Sequence, residues 1–181
     1  MLREPFAEAA HFQYRLRRDN SMNDKTDSST ADHSEVRIPP PLIYAGVFAV
    51  GFFLQKIFPA DVIPKAISRV AAFLCAGVSA VLGAWSLVLF LRSRTSPFPM
   101  KPSTVLVTTG PYKFTRNPMY VSLAFLYTGL GLWFNIFWAL VLLPAVIVIV
   151  RYYVIAAEEL YLEQKFGEQY LRYRAYVRRW L

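Results

Sequence analysis

The chain has 181 residues, of which 55% are hydrophobic and only 18% charged, and its mean hydropathy is +0.32. Soluble domains carry about 25% charged residues, so this composition excludes an ordinary water-soluble domain, and for most of the length an extended disordered chain. One cysteine excludes an intrachain disulfide framework, and two histidines leave no zinc-type cluster. The net charge of +8 is unevenly spread: residues 1–41 hold 6 basic and 7 acidic side chains, the remainder 14 and 5. The later basic residues all lie beside or between apolar runs, which is membrane-flank placement and not a nucleic-acid-binding face.

Residues 1–38 form a polar tail. From Ser21 to Ser34 almost nothing is apolar, so burial cannot offset the entropy of folding and the tail is expected to be disordered. No apolar core follows its basic residues, so it does not read as a signal peptide. Met22 is a second plausible start of translation, and His11 and His33 read as solvated. Pro39, Pro40 and Pro41 mark the boundary, because a triple proline is extended and can only lead into a helix.

Leu42–Phe58 is an apolar run of 17 residues, softened near its end by Gln55 and Lys56. Val70–Leu91 is 22 residues without a charge, enough to cross a hydrocarbon core of about 30 Å at ~1.5 Å per residue. Within it Ala72, Ala76, Ala80 and Ala84 recur every four residues as a small-residue stripe suited to close helix contact, and Cys75 reads as a packing residue. Met119–Val150 is 32 residues without a charge, about 48 Å as one helix and too long for one crossing. Gly129, Gly131 and Asn135 near its middle predict a helical hairpin. The expected fold is an all-α integral membrane protein with four transmembrane helices, near 42–58, 68–91, 119–134 and 136–157. Four spans put both termini on one side. Lys and Arg then divide 17 to 3 in favour of the side holding the termini and the loop around 92–117, which predicts that this side is cytoplasmic.

Two cytoplasmic stretches are unlike ordinary loops. Pro97–Tyr120 contains Pro97, Pro99, Pro102, Pro111 and Pro118 and a short apolar strip, Val105–Val107. With Arg92 and Arg94 it carries +5 and no acidic residue, and loops of this length are usually functional or disordered. It is too aromatic for disorder, so it reads as a loop folded against the membrane, or as a basic anchor on anionic lipid. The second stretch runs from Arg151 through Glu158 and Glu159 into a stripe formed by Leu162, Phe166, Tyr170, Tyr173, Val177 and Trp180, with Arg172, Arg174, Arg178 and Arg179 around it. That spacing predicts one cytoplasmic amphipathic helix on the inner leaflet, bent or broken at Gly167. Carboxylates at the end of an apolar span are costly to desolvate and normally have a cationic partner. Arg151, seven residues before Glu158, is the nearest candidate. Pairing with Glu158, orienting an anionic acceptor and snorkelling to the interface are its three readings.

The string Leu106-Val107-Thr108-Thr109-Gly110-Pro111-Tyr112, followed by Thr115-Arg116-Asn117-Pro118-Met119-Tyr120, resembles an "LVT-x-GPY … RHP-x-Y" signature. Glu158-Glu159, Phe166-Gly167, Tyr170 and Tyr173 resemble "EE … FG-x-x-Y-x-x-Y". Together, across a hairpin and over roughly 70–181, they resemble the isoprenylcysteine carboxyl methyltransferase and phospholipid methyltransferase superfamily of membrane enzymes. The resemblance implies a membrane methyltransferase domain over 39–181, with S-adenosylmethionine bound at the cytoplasmic end. It implies donor contacts from Thr104, Val105, Leu106, Val107, Tyr112, Asn117, Pro118, Met119, Tyr120 and Glu158. Asn117 stands where the family has histidine. The arginine that prenylcysteine enzymes place one turn before the glutamate is Val154 here, with Arg151 a turn earlier.

The residue types suit such a donor. Glu158 can take its ammonium or ribose hydroxyls, the basic loop its carboxylate, and Tyr112 and Tyr120 its adenine. Transfer would be in line, with proximity worth up to about 7–11 kcal/mol. Arg116, Tyr120 and Glu159 are the candidate catalytic residues, Glu159 or Tyr120 taking a proton if the acceptor is an amine, and Arg151 is the candidate substrate-binding residue. A lipophilic or small apolar thiol, carboxylate or amine is the expected acceptor. Composition and topology equally permit a non-catalytic membrane scaffold that docks through its C-terminal helix.

Overall fold

The computed structural model describes residues 38–93 and 104–180. The expected disordered tail lies outside the described residues but for Ile38, and so does the proline-rich start of the basic loop. Four helices form where the apolar runs fall: α1 (Pro40–Ile57), α2 (Lys65–Arg92), α3 (Pro118–Trp133) and α4 (Phe137–Val150). Prolines start three of them. Pro39 and Pro64 are the N-cap residues of α1 and α2, and Pro118 is the first residue of α3. In the first turn proline's missing N–H costs nothing and its fixed φ suits the helix.

Among the described residues, three helical stretches are long and apolar enough to cross a membrane: Pro40–Ile57, Lys65–Arg92 and Phe137–Phe166. The helix expected near 119–134 is present, but its 16 residues span only about 24 Å. Its hairpin with α4 turns where expected. Asn135 takes the left-handed backbone at φ 53°, a conformation asparagine tolerates better than most residues. Its side-chain amide donates to Asp61 Oδ1 at 2.9 Å, tying the turn to the α1–α2 connection.

α2 and α3 form the most extensive helix pair, and the small residues between them are not the predicted stripe. A strict four-residue step advances ~400°, so each alanine overshoots the previous one by ~40°. Ala72 is buried, whereas Ala76, Ala80 and Ala84 have turned out to the exposed surface. Ser68, Ala72 and Ser79, which mix steps of four and seven, face the partner instead. Ser68 Oγ donates to the Leu132 carbonyl at 2.5 Å and Ser79 Oγ to the Ser122 carbonyl at 2.8 Å. Without a hydrophobic driving force between membrane helices, such close approach and interhelical hydrogen bonds supply the attraction. α1 packs on α4 through Gly51, where a Cβ would lie 2.7 Å from Ala139 Cα. α1 and α2 each pack on the hairpin and make no extended contact with one another.

The last apolar helix does not stop near residue 157. α4 passes through a π turn, Arg151–Ile155, and continues as α5 (Ala156–Phe166). The amphipathic C-terminal stretch breaks at Gly167 as expected, and departs from the expected helix after residue 176. Gly167, at φ 52°, ends α5 with a backbone that residues with a Cβ rarely adopt. A short α6 (Glu168–Tyr176) follows, and residues 177–180 then run back to the basic loop, where Thr115 and Arg178 form an isolated parallel bridge. Tyr170 is 1% exposed and Trp180 packs against the core around Val154 and Ile155. Part of the predicted membrane stripe therefore faces the protein.

Candidate active site

The "GPY" segment is a 3-10 turn, Gly110–Lys113, and its glycine is required twice over. Gly110 has φ 61°, and a Cβ there would lie 2.7 Å from Leu89 Cδ1 and 2.9 Å from Trp85 Nε1. The turn is thereby pressed onto the end of α2, and it buries Tyr112, whose ring meets Phe90 edge-on at 5.7 Å. Tyr173 Oη donates to the Tyr112 carbonyl at 2.8 Å. Burial pushes the Tyr173 phenol above its ordinary pKa, so it stays a donor through the neutral range. Burial, reinforced by the Glu158 charge, also pushes the Tyr112 phenol up.

The two neighbouring glutamates have different surroundings, because successive helical residues point ~100° apart. Glu158 accepts a hydrogen bond from Tyr120 Oη at 2.8 Å, and the Tyr120 carbonyl in turn accepts one from Tyr44 Oη at 3.2 Å. Glu159 is buried between two arginines. Its Oε1 is 2.8 Å from Arg116 Nη1 and accepts from Arg179 Nε at 3.0 Å, while Oε2 accepts from Arg179 Nη2. The bond to Glu159 raises the pKa of Arg179 further. Arg116 Nη1 also reaches Tyr170 Oη at 3.4 Å. Arg116 Nε is buried and has no hydrogen-bond partner among the described residues. A buried, unpaired donor on a charged group is costly and rare.

A cavity of about 290 Å³ lies between these groups, near the lower end of small-molecule sites at ~300–1,000 Å³. Pro39–Pro41, Leu87, Phe90 and Leu123 supply its apolar walls, and Tyr112, Arg116, Asn117, Tyr120, Ser122 and Glu158 its polar ones, with Pro118 and Met119 completing the lining. Seven of the sequence-predicted residues thus meet at one cavity. Asn117 also holds the C-terminal segment, its Nδ2 donating to the Arg179 carbonyl at 3.0 Å. Glu159 does not line the cavity, being held by the two arginines. Thr104 to Val107 do not line it either; Val107 is buried, whereas Thr104 and Val105 are exposed.

Arg151 is exposed and lies over the Tyr152 ring at 5.5 Å, and among the described residues it makes no ion pair with Glu158. Each residue of the π turn advances less than the ~100° of an α-helix, so a seven-residue spacing across it no longer returns to the same face. Sequence reasoning missed Arg179, read as polar-face charge, and the three prolines, read only as a boundary. Their roles depend on long-range contacts with no local signature.

The phospholipid methyltransferase family model matches residues 66–169, which holds the cavity's polar residues, the hairpin and both glutamates. The chain belongs to the phospholipid methyltransferase family, and with its long apolar helices it is an integral membrane protein of the methyltransferase class. It is also similar to an uncharacterized protein of Haemophilus influenzae, 42% identical over 63 residues, which is 35% of this chain and all of that protein. No solved structure matches.

Proposed function

We propose that the protein transfers a methyl group from S-adenosylmethionine to a lipophilic or small apolar acceptor at the cytoplasmic membrane face. The observation that carries this reading is the cavity that brings Glu158, fixed by Tyr120, and Arg116 together among apolar walls. These groups fit the donor's chemistry. Arg116 suits its carboxylate, Glu158 its ammonium or ribose hydroxyls, and Tyr112, Phe90 and Leu87 its adenine. Bound there, S-adenosylmethionine would supply a methyl group made electrophilic by the sulfonium. Asn117 orders the turn into α3, Glu158 can take the proton of an amine acceptor with the Tyr120 hydroxyl as relay, and the apolar walls exclude water. Glu159 holds Arg116 in place, and Arg151 anchors the helix at the interface.

The cavity draws walls from both α1 and α2, which do not pack on one another. That arrangement supports lateral access for an acceptor dissolved in the bilayer. Equilibrium dialysis of detergent-purified protein against labelled S-adenosylmethionine should give saturable binding near one donor per chain. Background-level binding would overturn the donor assignment and favour a non-catalytic scaffold.

In the same reading α3 is a fourth, short span, and both termini and the loop around 92–117 are cytoplasmic, as the charge division requires. In a Cys75→Ala background, a cysteine replacing Asn135 should react with an impermeant reagent from the non-cytoplasmic side, and one replacing Ser28 should not. The opposite labelling pattern would reverse the orientation.

A further inference from the structure

We propose that Arg179 is a positioning residue, and that the segment 177–180 is a latch that fixes the Arg116 guanidinium for recognition of the donor carboxylate. The inference rests on the reading of the cavity as the donor site.

An arginine beside a cavity has several rotatable bonds, and its orientation is set by what holds its other nitrogens. Arg116 Nη1 is held by Glu159 Oε1 at 2.8 Å, while Nε has no partner. Glu159 is divided between two arginines, since Arg179 spans both of its oxygens through Nε and Nη2. This fork is the geometry in which arginine binds a carboxylate most specifically, and lysine cannot reproduce it. With Oε2 occupied by Arg179, Glu159 engages Arg116 through Oε1 alone and fixes the orientation in which Arg116 lines the cavity. Without Arg179, both carboxylate oxygens become free to take two nitrogens of Arg116 and turn the guanidinium away.

The backbone of the same residue closes the arrangement from the other side. The Arg179 carbonyl accepts from Thr115 Oγ1 at 3.1 Å and from Asn117 Nδ2 at 3.0 Å, one residue on each side of Arg116. Arg116 N–H itself donates to the Arg178 carbonyl at 2.9 Å. One turn of extended chain therefore grips Arg116 by its neighbours, its amide and its counter-ion. Arg179's side chain is 30% exposed, so water screens its contribution to stability, and its larger effect is on orientation.

The experiment compares binding of S-adenosylmethionine and of its decarboxylated analogue to wild-type protein, Arg179→Gln, Arg179→Lys and Arg178→Ala, in detergent, with circular dichroism on each. Arg178 has an exposed side chain and controls for loss of charge. Arg179→Gln should weaken S-adenosylmethionine roughly tenfold, as expected for one misdirected charge-assisted hydrogen bond. Its affinity for the decarboxylated analogue should stay within about twofold. Arg179→Lys should recover only part of the loss, and Arg178→Ala should match wild type. If Arg179→Gln does not fold, Arg179→Lys carries the same comparison. Equal losses for both ligands, or none in a folded variant, would overturn the latch while leaving the donor site standing. Wild-type protein that binds neither ligand would overturn the donor reading and this inference with it.

Discussion

Glu159→Ala should lower stability by about 3–5 kcal/mol, the cost of leaving buried charge unpaired. The carboxylate is the shared partner of Arg116 and Arg179, and the Arg116 side chain is only 11% exposed. Removing it leaves two guanidinium groups facing one another with no counter-charge. The apparent thermal midpoint in detergent, followed by tryptophan fluorescence, should drop clearly. The double variant Arg116→Met/Glu159→Leu should recover much of the loss, because an apolar replacement removes the unpaired charge along with its partner. A Glu159→Ala protein that melts like wild type would show that the clamp does not hold the fold.

The adjacent carboxylate should behave in the opposite way. Glu158→Gln keeps the volume and can still accept the Tyr120 hydroxyl, so its melting should change little. Donor affinity should fall at least tenfold, because a charge-assisted hydrogen bond worth about 1.5–3 kcal/mol is lost. Wild-type affinity in the folded variant would remove Glu158 from the donor site. The two substitutions, one residue apart, separate a group that holds the structure from one that meets a ligand.

What the sequence disclosed followed the range of the forces involved. Apolar runs and prolines are local, and they located the starts of the four main helices and the hairpin turn at Asn135 to within a few residues. The two motifs likewise led to the residues that line the cavity, including Tyr112, Arg116, Asn117, Tyr120 and Glu158. Counting helical phase failed wherever the helix was not regular or the step was not 3.6. The alanine stripe drifts off its face, and the π turn carries Arg151 away from Glu158. The different fates of Glu158 and Glu159 depend on Tyr120, Arg116 and Arg179, which are 20 or more positions away. No window along the chain contains that information.

The π turn at Arg151–Ile155 also bears on how this chain is to be matched with others. It holds more residues per turn than an α-helix, so residue number and axial rise part company within it. A gapless alignment drawn through the turn keeps count of residues but loses angle. Correspondences upstream, in α4, and those downstream, including the glutamate pair, therefore belong to separate registers. Each has to be anchored on its own side of the turn before a residue is given the role of its counterpart.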